Sequence, residues 1–112
     1  MRILLDACFA VALCGIACAE EHPRKGDGAL TCAQYADLFQ ISPDKADATF
    51  FPWALTYISG VNSKSAGAFF DLEAMSTAEM KRYLRVYCNA YRSADYSDAV
   101  EALMNSLPRV KR

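Results

Sequence analysis

The sequence predicts an all-α fold: a small domain of four helices with short links, held by one disulfide and preceded by a signal peptide. Three observations predict it. Apolar residues recur at helical spacing, two capping boxes stand in front of such stretches, and no run alternates with period two for long enough to argue a strand. A chain of 112 residues accommodates one such domain.

The compartment is read from the first residues. Met1-Arg2 forms a short basic start, residues 3–16 are mostly apolar, and Ala17-Cys18-Ala19 places small residues where a signal peptidase reads them. Residues 1–19 are therefore expected to be a signal peptide cleaved after Ala19, which gives a periplasmic protein with no membrane segment once the signal is gone. A membrane anchor needs about 20 uninterrupted apolar residues, and this run is shorter and contains Asp6. Gly15-Ile16-Ala17-Cys18 lacks the leucine usual three residues before a lipidated cysteine, so Cys18 is not read as an anchor.

Cleavage removes Cys8, Cys14 and Cys18 and leaves Cys32 and Cys88. Two cysteines in an exported chain have one pairing, so a Cys32–Cys88 disulfide is expected. It would close a loop of about 57 residues, for which chain entropy gives about 4 kcal/mol as an upper figure. Cleavage also removes Arg2 and Asp6, one charge of each sign, so the formal net charge stays at −1. That balance offers no basic field for nucleic acid.

Residues 20–29 are polar, with Pro23, Gly26 and Gly28, and read as a mobile arm. The helical domain is expected over 30–108. Thr31-Cys32-Ala33-Gln34 is a capping box ahead of Tyr35, Leu38 and Phe39, so a short helix begins there with Cys32 in its first turn. Ser42-Pro43 fits an N-cap and first helical residue. Pro52 leaves two options, a kinked helix or a separate turn before the helix that carries Trp53, Tyr57, Ile58 and Val61. Gly60 in that helix suggests close approach of another helix or the onset of the helix end.

Ala68-Phe69-Phe70-Asp71-Leu72 is too apolar for an ordinary loop, and its phenylalanines are expected to plug the core. Ser76-Thr77-Ala78-Glu79 is the second capping box. It opens a helix whose Met80, Tyr83, Leu84, Tyr87, Cys88 and Tyr91 form one apolar stripe, with Lys81, Arg82 and Arg85 on the solvated side. The stripe should face the helix from Thr31 and the aromatic one around Trp53. Asp95 or Ser97 caps a last helix through Val100, Leu103 and Leu107, which Pro108 stops, and residues 109–112 read as a solvated basic tail.

Nothing in this inventory marks an enzyme. There is no Gly-rich phosphate loop, no histidine–carboxylate pair and no cysteine cluster; His22 is the sole histidine, so no metal or cofactor site is predicted.

Leu30-Thr31-Cys32 near the mature start, Arg85-Val86-Tyr87-Cys88 late in the chain, and one disulfide between them resemble the HdeA/HdeB family of periplasmic acid-stress chaperones. The resemblance spans residues 30–108. It implies a protein folded and idle near neutral pH that opens in strong acid and exposes apolar surface to unfolded clients while the disulfide holds the helices together. Phe50, Phe51, Trp53, Tyr57, Phe69 and Phe70 are the candidate client-binding residues. The segment Tyr57-Ile58-Ser59-Gly60-Val61 is instead similar to the Tyr-x-x-Gly-Val stretch of small exported immunity proteins that neutralise type VI secretion effectors, which implies tight binding to a toxin at neutral pH. A third reading is a homodimer whose only role is assembly.

Overall fold

The computed structural model describes residues 26–111, so the expected signal peptide with its three cysteines, and His22, lie outside the described residues. Among the described residues there are four α-helices: α1 (Cys32–Ile41), α2 (Pro43–Lys64), α3 (Thr77–Ala90) and α4 (Tyr96–Ser106). Two 3₁₀ turns, Gly26–Ala29 and Leu72–Ala74, and two short strands, β1 (Ala68–Phe70) and β2 (Arg109–Lys111), complete the domain.

Both capping boxes form as expected. The Thr31 hydroxyl accepts from the Gln34 N–H at 3.1 Å while the Gln34 side chain accepts from the Thr31 N–H at 2.8 Å, and so α1 starts with Cys32 in its first turn. Ser76 and Glu79 do the same for α3 at 3.1 and 2.9 Å. Ser42 ends α1 and is also the N-cap residue of α2, with Pro43 at the first helical position; its hydroxyl makes no capping bond.

α2 runs unbroken for 22 residues through Pro52, which resolves the two options in favour of one helix. A proline within a helix costs about 3 kcal/mol, because its ring crowds the carbonyl four residues earlier and leaves it without a donor. Here that carbonyl belongs to Ala48, and both Ala48 and Pro52 are exposed, so water can solvate it. The opposite face buries Ala46, Phe50, Ala54 and Ile58, which offsets the loss.

Gly60 does not mark a close helix contact, since nothing lies within 4 Å of where a Cβ would stand. The close approach occurs at Gly28, where a Cβ would collide with the indole of Trp53. Residues 26–29 of the expected arm are thus a 3₁₀ turn packed on α2 and α4, entered through Gly26 at a left-handed φ of 65°.

The core is aromatic around one covalent tie. Cys32 and Cys88 are fully buried and bonded, with Cα atoms 4.6 Å apart, fixing the start of α1 to the end of α3. Beside them Tyr35, Phe50 and Tyr96 pack as a triangle of rings with centroids 4.9 to 5.2 Å apart. Backbone bonds from Cys32 N–H to the Ala94 carbonyl (2.7 Å) and from Tyr96 N–H to the Leu30 carbonyl (2.8 Å) stitch the entry of α1 to the entry of α4.

The strands were not expected. β1 and β2 pair antiparallel with Phe69 opposite Val110 and Phe70 opposite Arg109, so residues 109–111 of the basic tail have exposed side chains but a paired backbone. α2 closes the other edge of β1. The Asn62 amide donates to the Phe70 carbonyl at 2.8 Å and accepts from its N–H at 2.7 Å, and the Ser65 hydroxyl donates to the Ala68 carbonyl.

Candidate functional site

The six candidate client-binding residues do not form a surface patch in the folded protein. Phe50, Phe51 and Phe70 are buried, and Trp53, Tyr57 and Phe69 are half-buried. Phe50 belongs to the ring triangle, and Trp53 stacks on Tyr57 at 5.2 Å and 13°. Phe70 plugs the core as expected, whereas Phe69 is half-buried and lies outside the core cluster, since neighbouring residues of a strand point to opposite faces.

Two of these rings, Phe51 and Phe70, and the neighbouring Phe39 are roofed by cations. The Lys81 ammonium sits 5.3 Å from the Phe51 centroid, the Arg85 guanidinium 5.1 Å from Phe39, and the Arg109 guanidinium 4.6 Å from Phe70. Lys81 and Arg85 are therefore half-buried covers and not the purely solvated face their charge suggests. Only Arg82 of that trio is exposed.

The tyrosine stripe of α3 also divides. Met80, Leu84 and Cys88 are buried, Tyr83 and Tyr87 are half-buried, and Tyr91 is exposed. Tyr83 turns toward α4. The Tyr83 hydroxyl donates to the Ala102 carbonyl at 3.2 Å and accepts from the Ser106 hydroxyl at 3.1 Å. Burial first, and then the charges of Asp98, Tyr91, Tyr83 and Glu101, push the Tyr87 hydroxyl pKa up. Between the tyrosines runs an open groove of about 580 Å³, lined by Met75, Tyr83, Val86, Tyr87 and Tyr91, with Glu79 and Arg82 also on its wall.

No family model, no curated protein and no solved structure matches this chain.

Carboxylates hold several junctions. Asp95 is the N-cap residue of α4, and the Asp98 side chain accepts from its N–H at 2.9 Å; Ser97 is buried inside the first turn and does not cap. Asp71 accepts from the Glu73 N–H at 3.0 Å at the start of the second 3₁₀ turn. Asp37 pairs with Arg92 at 2.8 Å across α1 and the loop before α4, and Glu101 accepts from the Tyr57 hydroxyl at 3.0 Å. Ser76, through its backbone N–H and then its hydroxyl, holds the Glu79 carboxyl below its ordinary value. Burial and the adjacent Asp47, which accepts from the Tyr35 hydroxyl at 3.3 Å, keep that phenol protonated far above its usual range. Among the described residues no helix is long and apolar enough to cross a membrane.

The capping boxes and both cysteines were readable from the sequence. The groove was missed because Tyr83, Tyr87 and Tyr91 share the period of the core residues beside them. The signal that could have separated them is residue type, since tyrosine carries a hydroxyl that prefers a wet edge.

Proposed function

We propose that this chain is an exported, periplasmic acid-stress chaperone, folded at neutral pH and active on unfolded clients when strong acid loosens its helices. One observation carries the reading: apolar rings lie beneath helices whose starts and junctions are held by carboxylates, around a disulfide that acid does not break. Protonation of Glu79 weakens its bond to the Ser76 N–H at the start of α3. The sign follows from Glu79. Its pKa is depressed in the folded state, so its contribution is present above its ordinary value of 4.5 and is lost as pH falls through the folded value. Loosening then frees Phe50, Phe51, Trp53, Tyr57, Phe69 and Phe70 for clients. Burial contributes about 25 cal/mol per Å² without sequence preference.

The test is light scattering from an acid-sensitive client mixed with the mature protein at about pH 2 to 3, below the reference carboxylate values, with the disulfide intact and reduced. Suppression of scattering is expected only with the disulfide intact. Unsuppressed aggregation in both samples refutes the reading.

A second reading, a protein that neutralises a secreted toxin at neutral pH, is favoured by the tyrosine groove, which is open while the protein is folded. Pull-down of exported toxins at neutral pH tests it, and stoichiometric one-to-one capture is its expected result.

A further inference from the structure

β2 is an edge strand. It pairs with β1 on one side, and among the described residues no third strand joins the sheet. In an antiparallel ladder, opposed residues alternate between pairs that exchange both backbone bonds and pairs whose N–H and C=O groups turn outward. The bonds of Phe70 show which kind each pair is. Its N–H and carbonyl turn away from β2 to the Asn62 side chain, at 2.7 and 2.8 Å, so Phe70 and Arg109 form an outward pair. One step along, the Asp71 N–H donates to the Pro108 carbonyl at 2.9 Å, as that phase requires. Arg109 and Lys111 therefore turn their own N–H and C=O groups to the open edge, about 7 Å apart, the repeat at which a further strand bonds. On β1 the outward groups of Phe70 are taken by Asn62, whereas among the described residues no hydrogen bond reaches those of Arg109 and Lys111.

The two faces of the sheet decide what fits. Side chains alternate across a strand, so Val110 shares one face with Phe69 and Asp71. A groove of about 370 Å³ lies there, lined also by Leu72 and Glu73. Arg109 and Lys111 are exposed on the other face with Phe70, the Arg109 guanidinium standing 4.6 Å from that ring. A strand added to β2 meets these faces in turn. Opposite Arg109 and Lys111 its side chains come within reach of two cations, and between them one side chain falls beside Val110, on the apolar face that also carries Asp71 and Glu73. The order that fits is acidic, apolar, acidic, because opposite charges across a ladder stabilise it and like charges do the reverse. A second copy of this chain does not fit. Pairing β2 with itself about Val110 sets Arg109 against Lys111 twice.

We propose that the open edge of β2 docks an extended acidic segment of a partner protein as an antiparallel third strand, with carboxylates opposite Arg109 and Lys111 and an apolar side chain beside Val110. The edge is open in the folded protein, so the proposal goes beyond acid opening, and a failed scattering assay leaves it untouched.

The probe is the peptide acetyl-Thr-Glu-Ile-Glu-Thr-amide, titrated into the folded protein at neutral pH and followed by backbone amide NMR, beside the same peptide with lysine in place of glutamate. Saturable shifts at Arg109 and Lys111 are expected with a dissociation constant on the order of 1 mM, together with slower amide exchange at those two residues. N-methylation of both glutamate amides should abolish binding, because in an antiparallel ladder those N–H groups face β2. N-methylation of the isoleucine amide should leave binding intact, because that N–H faces away. Lys111→Glu, at an exposed position, should weaken the acidic peptide at least about twofold and strengthen the lysine peptide. Equal binding of the two peptides, loss of binding on isoleucine methylation, or no shift at β2 overturns the proposal. So does a concentration-dependent dimer that protects the Arg109 amide.

Discussion

Gly28→Ala tests whether the segment before α1 belongs to the core. At this position a Cβ would overlap three carbons of the Trp53 indole, and the glycine has no left-handed backbone angle to complicate the result. The indole cannot simply swing aside. It is stacked on Tyr57 at 5.2 Å and meets Tyr96 edge-on at 6.3 Å, and Tyr57 is in turn bonded to Glu101. Either the 3₁₀ turn lifts away or the stack shifts, and overpacking of this kind costs about 1–3 kcal/mol. The assay is urea unfolding followed by Trp53 fluorescence, which reports the perturbed ring itself because Trp53 is the only tryptophan. Gly60→Ala is the matched control, since it sits inside α2 with open space around it and should stabilise by up to about 1 kcal/mol. A cost below about 0.5 kcal/mol for Gly28→Ala, with an unshifted emission spectrum, would refute the packing of Gly26–Ala29 on Trp53.

Other outcomes follow from the same contacts. Replacing both Cys32 and Cys88 by alanine should destabilise the fold by up to about 4 kcal/mol in chemical denaturation, with the midpoint shifted and cooperativity retained. Asn62→Ala removes both of its bonds to the Phe70 backbone and should cost about 1–3 kcal/mol, with faster amide exchange at Phe70 than in the wild type. Glu79→Gln should lower stability at neutral pH, and the difference from the wild type should shrink as pH falls through the depressed folded-state value; denaturation across the acid range checks this.

The sequence was most legible where structure depends on neighbouring residues. Thr31 with Gln34, Ser76 with Glu79, and Ser42 before Pro43 each act within one helical turn, so their spacing was enough to place α1, α2 and α3. The disulfide was readable by counting cysteines. β1 and β2 were not readable, because each has three residues and their pairing joins segments far apart in the chain. Gly28 was hidden in a polar stretch with no period, and its role depends on a ring supplied by α2. Lys81 and Arg85 misled for another reason: charge alone suggests solvent, whereas long alkyl stems can lie across Phe51 and Phe39 with the charge over the ring. The tyrosine face shows the limit of periodicity, which finds an apolar stripe but not which part of it another helix covers.

The position of the disulfide along the chain divides the molecule into two mechanical parts. The bond between Cys32 and Cys88 makes a covalent ring of α1, α2, β1 and α3, whereas α4 and β2 follow Cys88 as a strap tethered at one end. That strap is held back by side-chain packing, the short backbone stitches to Leu30 and Cys32, and the pairing of β2 with β1. It can peel from the ring without any helix of the ring unfolding, and peeling withdraws Tyr96 from Tyr35 and Phe50. The strap also carries Asp95, Asp98 and Glu101. These side chains therefore lie on the part of the chain that no covalent bond restrains, and its amides should exchange before those of the ring.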